Sequence, residues 1–172
     1  MSLVNALAIS IGVLGGIATW LFFGPLGGLG LQIWAAFVAW AAFFHSGGTA
    51  EALKTNIPAH IFGALVGWCA LFGVTQLAGS LGVPVAAGIC VGIGAAVMVL
   101  GAHLPLLASI PSTVYGFACV AGFTLLAGKL ELLTSGSLND NPFLNIVASM
   151  IIGALFAFVS GAIGGAMAAS DD

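Results

Sequence analysis

Apolar runs fill nearly all of this chain's 172 residues, and its only basic side chains are Lys54 and Lys129. A run of about 20 apolar residues is what a helix needs to cross a hydrocarbon core about 30 Å thick. In that medium every backbone group must be satisfied inside the protein, which restricts spanning structures to helices and closed barrels. Charged residues make up 4% of the chain, against roughly 25% in soluble domains. Mean hydropathy is +1.24. The expectation is an all-α integral membrane protein, one transmembrane domain over residues 1–172, with no room for a soluble domain. A net charge of −3 without a basic cluster argues against nucleic acid and against an anionic-lipid anchor.

Six crossings are expected: Leu3–Phe23, 31–44, 57–77, Val83–Gly101, 104–128 and 142–166. The first lacks a basic n-region and exceeds the roughly 7–15 apolar residues of a signal peptide, so it reads as a retained helix. The second, at about 1.5 Å per residue, reaches only ~21 Å and falls short of the core thickness. It either borrows flanking residues or lines a cavity as a partial helix.

The loops repeat a pattern. Short Gly- or Pro-containing links join helices one to two and four to five. Longer polar loops, 45–56 and 129–141, precede helices three and six. Each longer loop carries one lysine and at least one carboxylate, and each ends in Asn near Pro: Asn56-Ile57-Pro58 and Asn141-Pro142. Asn as cap with Pro in the first turn is a sound helix start. Glu51 and Lys54 stand i, i+3 and are expected to pair on a solvated turn. Gly12/Gly16, Gly63/Gly67, Gly88/Gly92 and Gly161/Gly165 mark close-packing seams. These matches suggest two three-helix repeats, 1–78 and 83–168, inverted across the membrane because three is odd. With six crossings the two lysines lie on opposite sides, so the positive-inside count gives no orientation.

Pro111 lies inside the fifth stretch and is expected to free the carbonyl of Leu107. Ser109, Ser112, Thr113 and Gly116 share one helical face around it. Two readings fit: a kinked packing helix, or a proline-broken helix lining a polar site. Asn56 and His60 on helix three, with Asn145 and Ser149 on helix six, extend this to an uncharged polar lining; Tyr115 joins the candidates. His60 serves structure or function equally well on this reading. Trp34 and Trp40 fit an interfacial belt better than a pocket wall. His45 and His103 sit near helix ends, where interfacial hydrogen bonding is the simpler account.

No cofactor and no metal site are expected. Cys69, Cys90 and Cys119 are scattered, and three histidines lack carboxylate partners at ligand spacing. No catalytic residue is assigned, since HExxH, GxSxG, P-loop and dinucleotide patterns are all missing from the sequence.

Two patches carry a resemblance. FFHSGGTAEALKTN, with His45, Gly47, Gly48 and Thr49, and SIPSTVYGFACVAG, with Pro111, Thr113 and Gly116, resemble the YcdZ-like family of bacterial inner-membrane proteins of unknown function. The resemblance covers most of the chain and implies a multi-pass location in the bacterial inner membrane. Helix five is also distantly similar to the proline-and-threonine segments of urea transporters.

The function expected from the residues is a channel or facilitated transporter for a small neutral or weakly ionised solute, such as urea, ammonia, a short amide or a weak acid. Its partners would be the lipid bilayer, the solute and further copies of itself in a homo-oligomer. A non-transporting scaffold is the alternative, with a dry core behind Pro111 as its signature. Thr113→Val is expected to remove solute passage and Ser112→Ala to be milder.

Overall fold

The structure is a computed structural model that describes residues 1–169; residues 170–172 of the expected domain lie outside them. The described residues form six α-helices and no strand: α1 (Leu3–Phe23), α2 (Ile33–His45), α3 (Ala50–Leu81), α4 (Val83–Gly101), α5 (Ile110–Leu126) and α6 (Pro142–Ala169). Short 3₁₀ turns, Gly27–Leu29 and Pro105–Leu107, precede α2 and α5. Four helices, α1, α3, α4 and α6, are long and apolar enough to cross a membrane, while α2 and α5 are apolar but shorter. The all-α membrane architecture expected from the sequence is the one found.

Local chemistry starts these helices. The Ser2 hydroxyl accepts from the Asn5 N–H at 3.4 Å. Asn141 Oδ1 accepts from the N–H groups of Phe143 and Leu144 at 2.9 and 3.2 Å, with Pro142 opening α6 as expected. At α3 the outcome differs from the sequence reading. Thr49 caps the helix, accepting from the Ala52 N–H at 3.3 Å, so residues 50–56 are helical and the expected long loop shrinks to 46–49. Gly47 and Gly48 turn there at φ +100° and +66°, a region L side chains rarely adopt. Glu51 and Lys54 pair at 2.7 Å on this exposed first stretch.

The two prolines thereby exchange roles. Pro58 lies inside α3, where it withholds an N–H from the carbonyl of Lys54, on an exposed turn. Pro111 lies in the first turn of α5, where no intrahelical bond is lost. The stretch 104–128 is interrupted, but before its helix rather than within it. Pro111→Ala is therefore expected to change unfolding free energy by less than about 1 kcal/mol. Pro58→Ala should stabilise the protein, since proline is disfavoured by up to about 3 kcal/mol in helix interiors. Thermal unfolding of both variants in detergent checks the ordering.

Packing divides the bundle in two. Helices α4 and α5 lie against α3, α1 and α2 lie against α6, and α3 meets α6 between them. At the α3–α5 crossing a Cβ on Gly63 would land on the Thr113 carbonyl, and one on Gly116 on the His60 carbonyl. At the α2–α6 crossing a Cβ on Gly153 would land on the Ala36 carbonyl. Glycine is required at these close approaches. Of the four expected seams, Gly63/Gly67 packs tightly and a Cβ on Gly161 would meet the Phe43 ring at 3.2 Å, while Gly12, Gly16, Gly88, Gly92 and Gly165 face open space.

Candidate functional site

The polar residues picked out in the sequence do not form one lining. They gather at two places, at opposite ends of α2. At one end, Asn56 Oδ1 accepts from the hydroxyls of Ser46 and Ser112 at 3.0 and 2.9 Å. Ser109 donates to Ser112 at 2.8 Å, extending the chain of hydroxyls into the turn before α5. At the other end, Asn145 Nδ2 donates to the carbonyls of Gly30 and Leu138 at 3.0 and 3.2 Å. Ser149 Oγ accepts from the Gln32 N–H at 2.9 Å and donates to the Asn145 carbonyl at 2.8 Å. Ser46 follows α2 and Gln32 precedes it, so the 13 residues of that helix separate the clusters by ~20 Å. The buried core between them is largely apolar, with Val120, Ile146, Met150 and Ala154 nearly inaccessible, and the buried hydroxyls of Thr124 and Ser160 donate to carbonyls of their own helices.

The two clusters differ in how completely they are satisfied. Asn56 and His60 are 0% and 2% exposed, and Asn56 Nδ2 and both ring nitrogens of His60 have no protein partner. In the second cluster only Asn145 Oδ1 is left unpartnered. An unpaired polar group inside a protein costs about 1–3 kcal/mol.

Thr113, the residue the sequence reading placed foremost, is fully buried with its hydroxyl donating to the Ile110 carbonyl at 2.8 Å. That hydroxyl serves its own helix turn, and it is Ser112 that reaches across to α3. This bonding favours the opposite ranking to the expected one. Thr113→Val should lower stability by about 0.5–1.5 kcal/mol, and Ser112→Ala should be the variant that disturbs the cluster. Thermal unfolding of each purified variant reads the two effects.

Other candidates scatter. Trp40 is buried, donating Nε1–H to Ser160 Oγ at 3.1 Å and stacking on Phe37 and Phe156. Trp34 is 42% exposed, donates to Gln32 Oε1 at 3.0 Å and lines an open groove of about 690 Å³ between α2 and α5. Tyr115 and Gly122 stand on its α5 wall, and nearly all its lining is apolar. His45 is exposed at the end of α2, and Gly47, Gly48 and Thr49 form the turn into α3. Sequence reasoning missed Gln32, whose backbone N–H meets Ser149, and the buried Ser10–Ser160–Trp40 group, in which Ser10 donates to the Ser160 carbonyl at 3.0 Å. Their spacing signals nothing, because each is joined to its partner across more than 100 residues.

With this geometry in hand, comparison with known proteins adds a family. The profile described as "Protein of unknown function (DUF1097)" matches residues 8–165. The chain belongs to the DUF1097 family. This match carries the expected assignment to a family of unknown function; it carries neither the YcdZ-like label nor the likeness to urea transporters. No curated protein and no solved structure matches the chain. The function of this DUF1097 chain is thus argued from its own residues.

Proposed function

We propose that this chain is a facilitated transporter for a small neutral or weakly ionised solute, built from two halves, 1–78 and 83–168, inverted relative to each other in a bacterial inner membrane. The observation that carries the reading is the set of unpartnered polar atoms on Asn56 and His60, buried in a spanning helix beside the start of a short one. Polar groups are expensive there and mark solute paths.

The packing supports inverted halves. Each long helix, α3 or α6, takes one full-length and one short helix from the other half of the scheme. Each short helix follows a 3₁₀ turn, and in each its fourth residue, Thr113 or Ala36, gives the carbonyl that a glycine of the long helix abuts. The apolar belt between the clusters favours a carrier that alternates over an open pore. Glu51 and Glu131 are exposed, and a path without a buried carboxylate favours passive passage over ion coupling. The open glycine faces of α1 and α4 are where further copies in a homo-oligomer would pack. We read the chain as non-enzymatic.

The scaffold reading is favoured by the largely apolar core between the clusters, which leaves no continuous polar lining from one to the other. Proteoliposome flux with urea, ammonia, short amides and weak acids decides between them. Permeability above protein-free vesicles for at least one solute is expected; none for any solute would leave the scaffold.

A further inference from the structure

We infer that the turn of α3 bearing Asn56 and His60, with Ser112 at the start of α5, binds a small neutral molecule that presents a carbonyl oxygen beside an N–H, as a primary amide or a urea does. This deepens the transporter reading and rests on its pairing of the two halves.

The chain itself supplies the comparison. In α6, Asn145 and Ser149 stand i, i+4, with Gly153 two turns beyond Asn145 against the Ala36 carbonyl. In α3, Asn56 and His60 stand i, i+4, with Gly63 two turns beyond Asn56 against the Thr113 carbonyl. The α6 pair is occupied by the protein's own backbone: the Gly30 carbonyl accepts from Asn145 Nδ2, and the Gln32 N–H donates to Ser149 Oγ. Carbonyl and N–H there belong to adjacent peptide units of one short segment. At the α3 pair the turn before α5, Pro105–Leu107, packs on α3 but gives Asn56 Nδ2 and the His60 ring no backbone partner. Asn56 Nδ2 has no acceptor, and the His60 ring nitrogens have no partner, although both residues are buried.

The ligand class follows from what those atoms lack. Asn56 Nδ2 is a donor only, so it needs an oxygen like that of Gly30. A neutral imidazole carries one lone-pair nitrogen, which can accept an N–H as Ser149 accepts that of Gln32. Asn56 is held toward α5 by the Ser112 bond at 2.9 Å, which aims the amide at the first turn of that helix. The positive end of a helix favours a carbonyl dipole turned oxygen-first. A molecule with only one of the two groups leaves part of the site unpaired, and sites built to hydrogen-bond both groups reject such analogues strongly.

The test uses the full chain in detergent, labelled with ¹⁵N-histidine, with His60→Gln identifying the His60 ring signals. Acetamide and N-methylurea are titrated, against acetone (carbonyl only) and methylammonium (N–H only). A saturable shift of the His60 nitrogens is expected with the first two and none with the last two, and Asn56→Ala should raise the half-saturating concentration about tenfold. No saturable shift with either amide, or an equal response to acetone, overturns the inference. Should Asn56→Ala fail to fold, the contrast between acetamide and acetone on the unaltered chain carries the test alone. Liposome flux run in parallel keeps the two readings apart. Flux without a saturable His60 response rejects this site and retains transport. A saturable response without flux retains the site and rejects transport.

Discussion

Gly116→Val is expected to unfold most of the protein under conditions where the unaltered chain is folded. Its first added carbon falls on the His60 carbonyl and close to the Ala64 nitrogen. Both are backbone atoms of a long helix that cannot swing aside as a side chain would. Overpacking typically costs about 1–3 kcal/mol, and a backbone clash lies at or above the top of that range. Net stabilities of about 5–15 kcal/mol leave little reserve for such losses. Gly79→Val is the control, since Gly79 is exposed and nothing stands within 4 Å of a Cβ there; open-surface changes of this kind stay within about 0.5 kcal/mol. Thermal unfolding of the two variants in detergent reads the contrast. Equal melting temperatures for Gly116→Val and Gly79→Val would mean that α3 and α5 do not cross as closely as described.

The second large effect belongs to Asn145→Leu. It removes the donor that serves the Gly30 and Leu138 carbonyls and so loosens the turn into α2 from α6. Two part-buried carbonyls losing their partner, at about 1–3 kcal/mol each, give an expected loss of about 2–6 kcal/mol. Asn56→Leu should cost less, about 1–2 kcal/mol, because it frees only the hydroxyls of Ser46 and Ser112, which can rotate to other acceptors. Hydrogen exchange across residues 30–32 should speed up in Asn145→Leu and stay unchanged in Asn56→Leu. The reverse order would show that the backbone segment at Gly30 is held by something other than Asn145.

Helix existence was legible because hydrocarbon imposes one demand, local backbone satisfaction, and composition reports it directly. Helix starts were legible where the signal was local and unopposed, as at Asn141-Pro142, whose side chain bonds lie two and three residues away. At Asn56-Ile57-Pro58 the same signal misled. Thr49 offered an earlier cap, and the Ala, Glu, Leu and Lys residues after it propagate a helix well enough to run through Pro58. Asn56 then became an interior side chain free to reach α5.

Which polar residues would share a site was not legible. Asn145 finds its partners in the backbone carbonyls of Gly30 and Leu138, and a carbonyl leaves no mark in a sequence. Likewise Gly63 and Gly88 read alike as members of Gly-xxx-Gly pairs, yet one abuts a carbonyl and the other faces open space.

From sequence alone, then, came the membrane-spanning all-α class, the six helices, the shortness of α2 and the Glu51–Lys54 pair, all governed by composition or by neighbours within a turn or two. The tertiary structure alone decided the split of the polar residues into two clusters ~20 Å apart, the confinement of Thr113 to its own helix, and the unpartnered state of Asn56 and His60. Those outcomes depend on which helix faces which. In a chain whose helices are apolar nearly all round, periodicity does not specify the facing, and the close fit of glycine to a neighbouring backbone does.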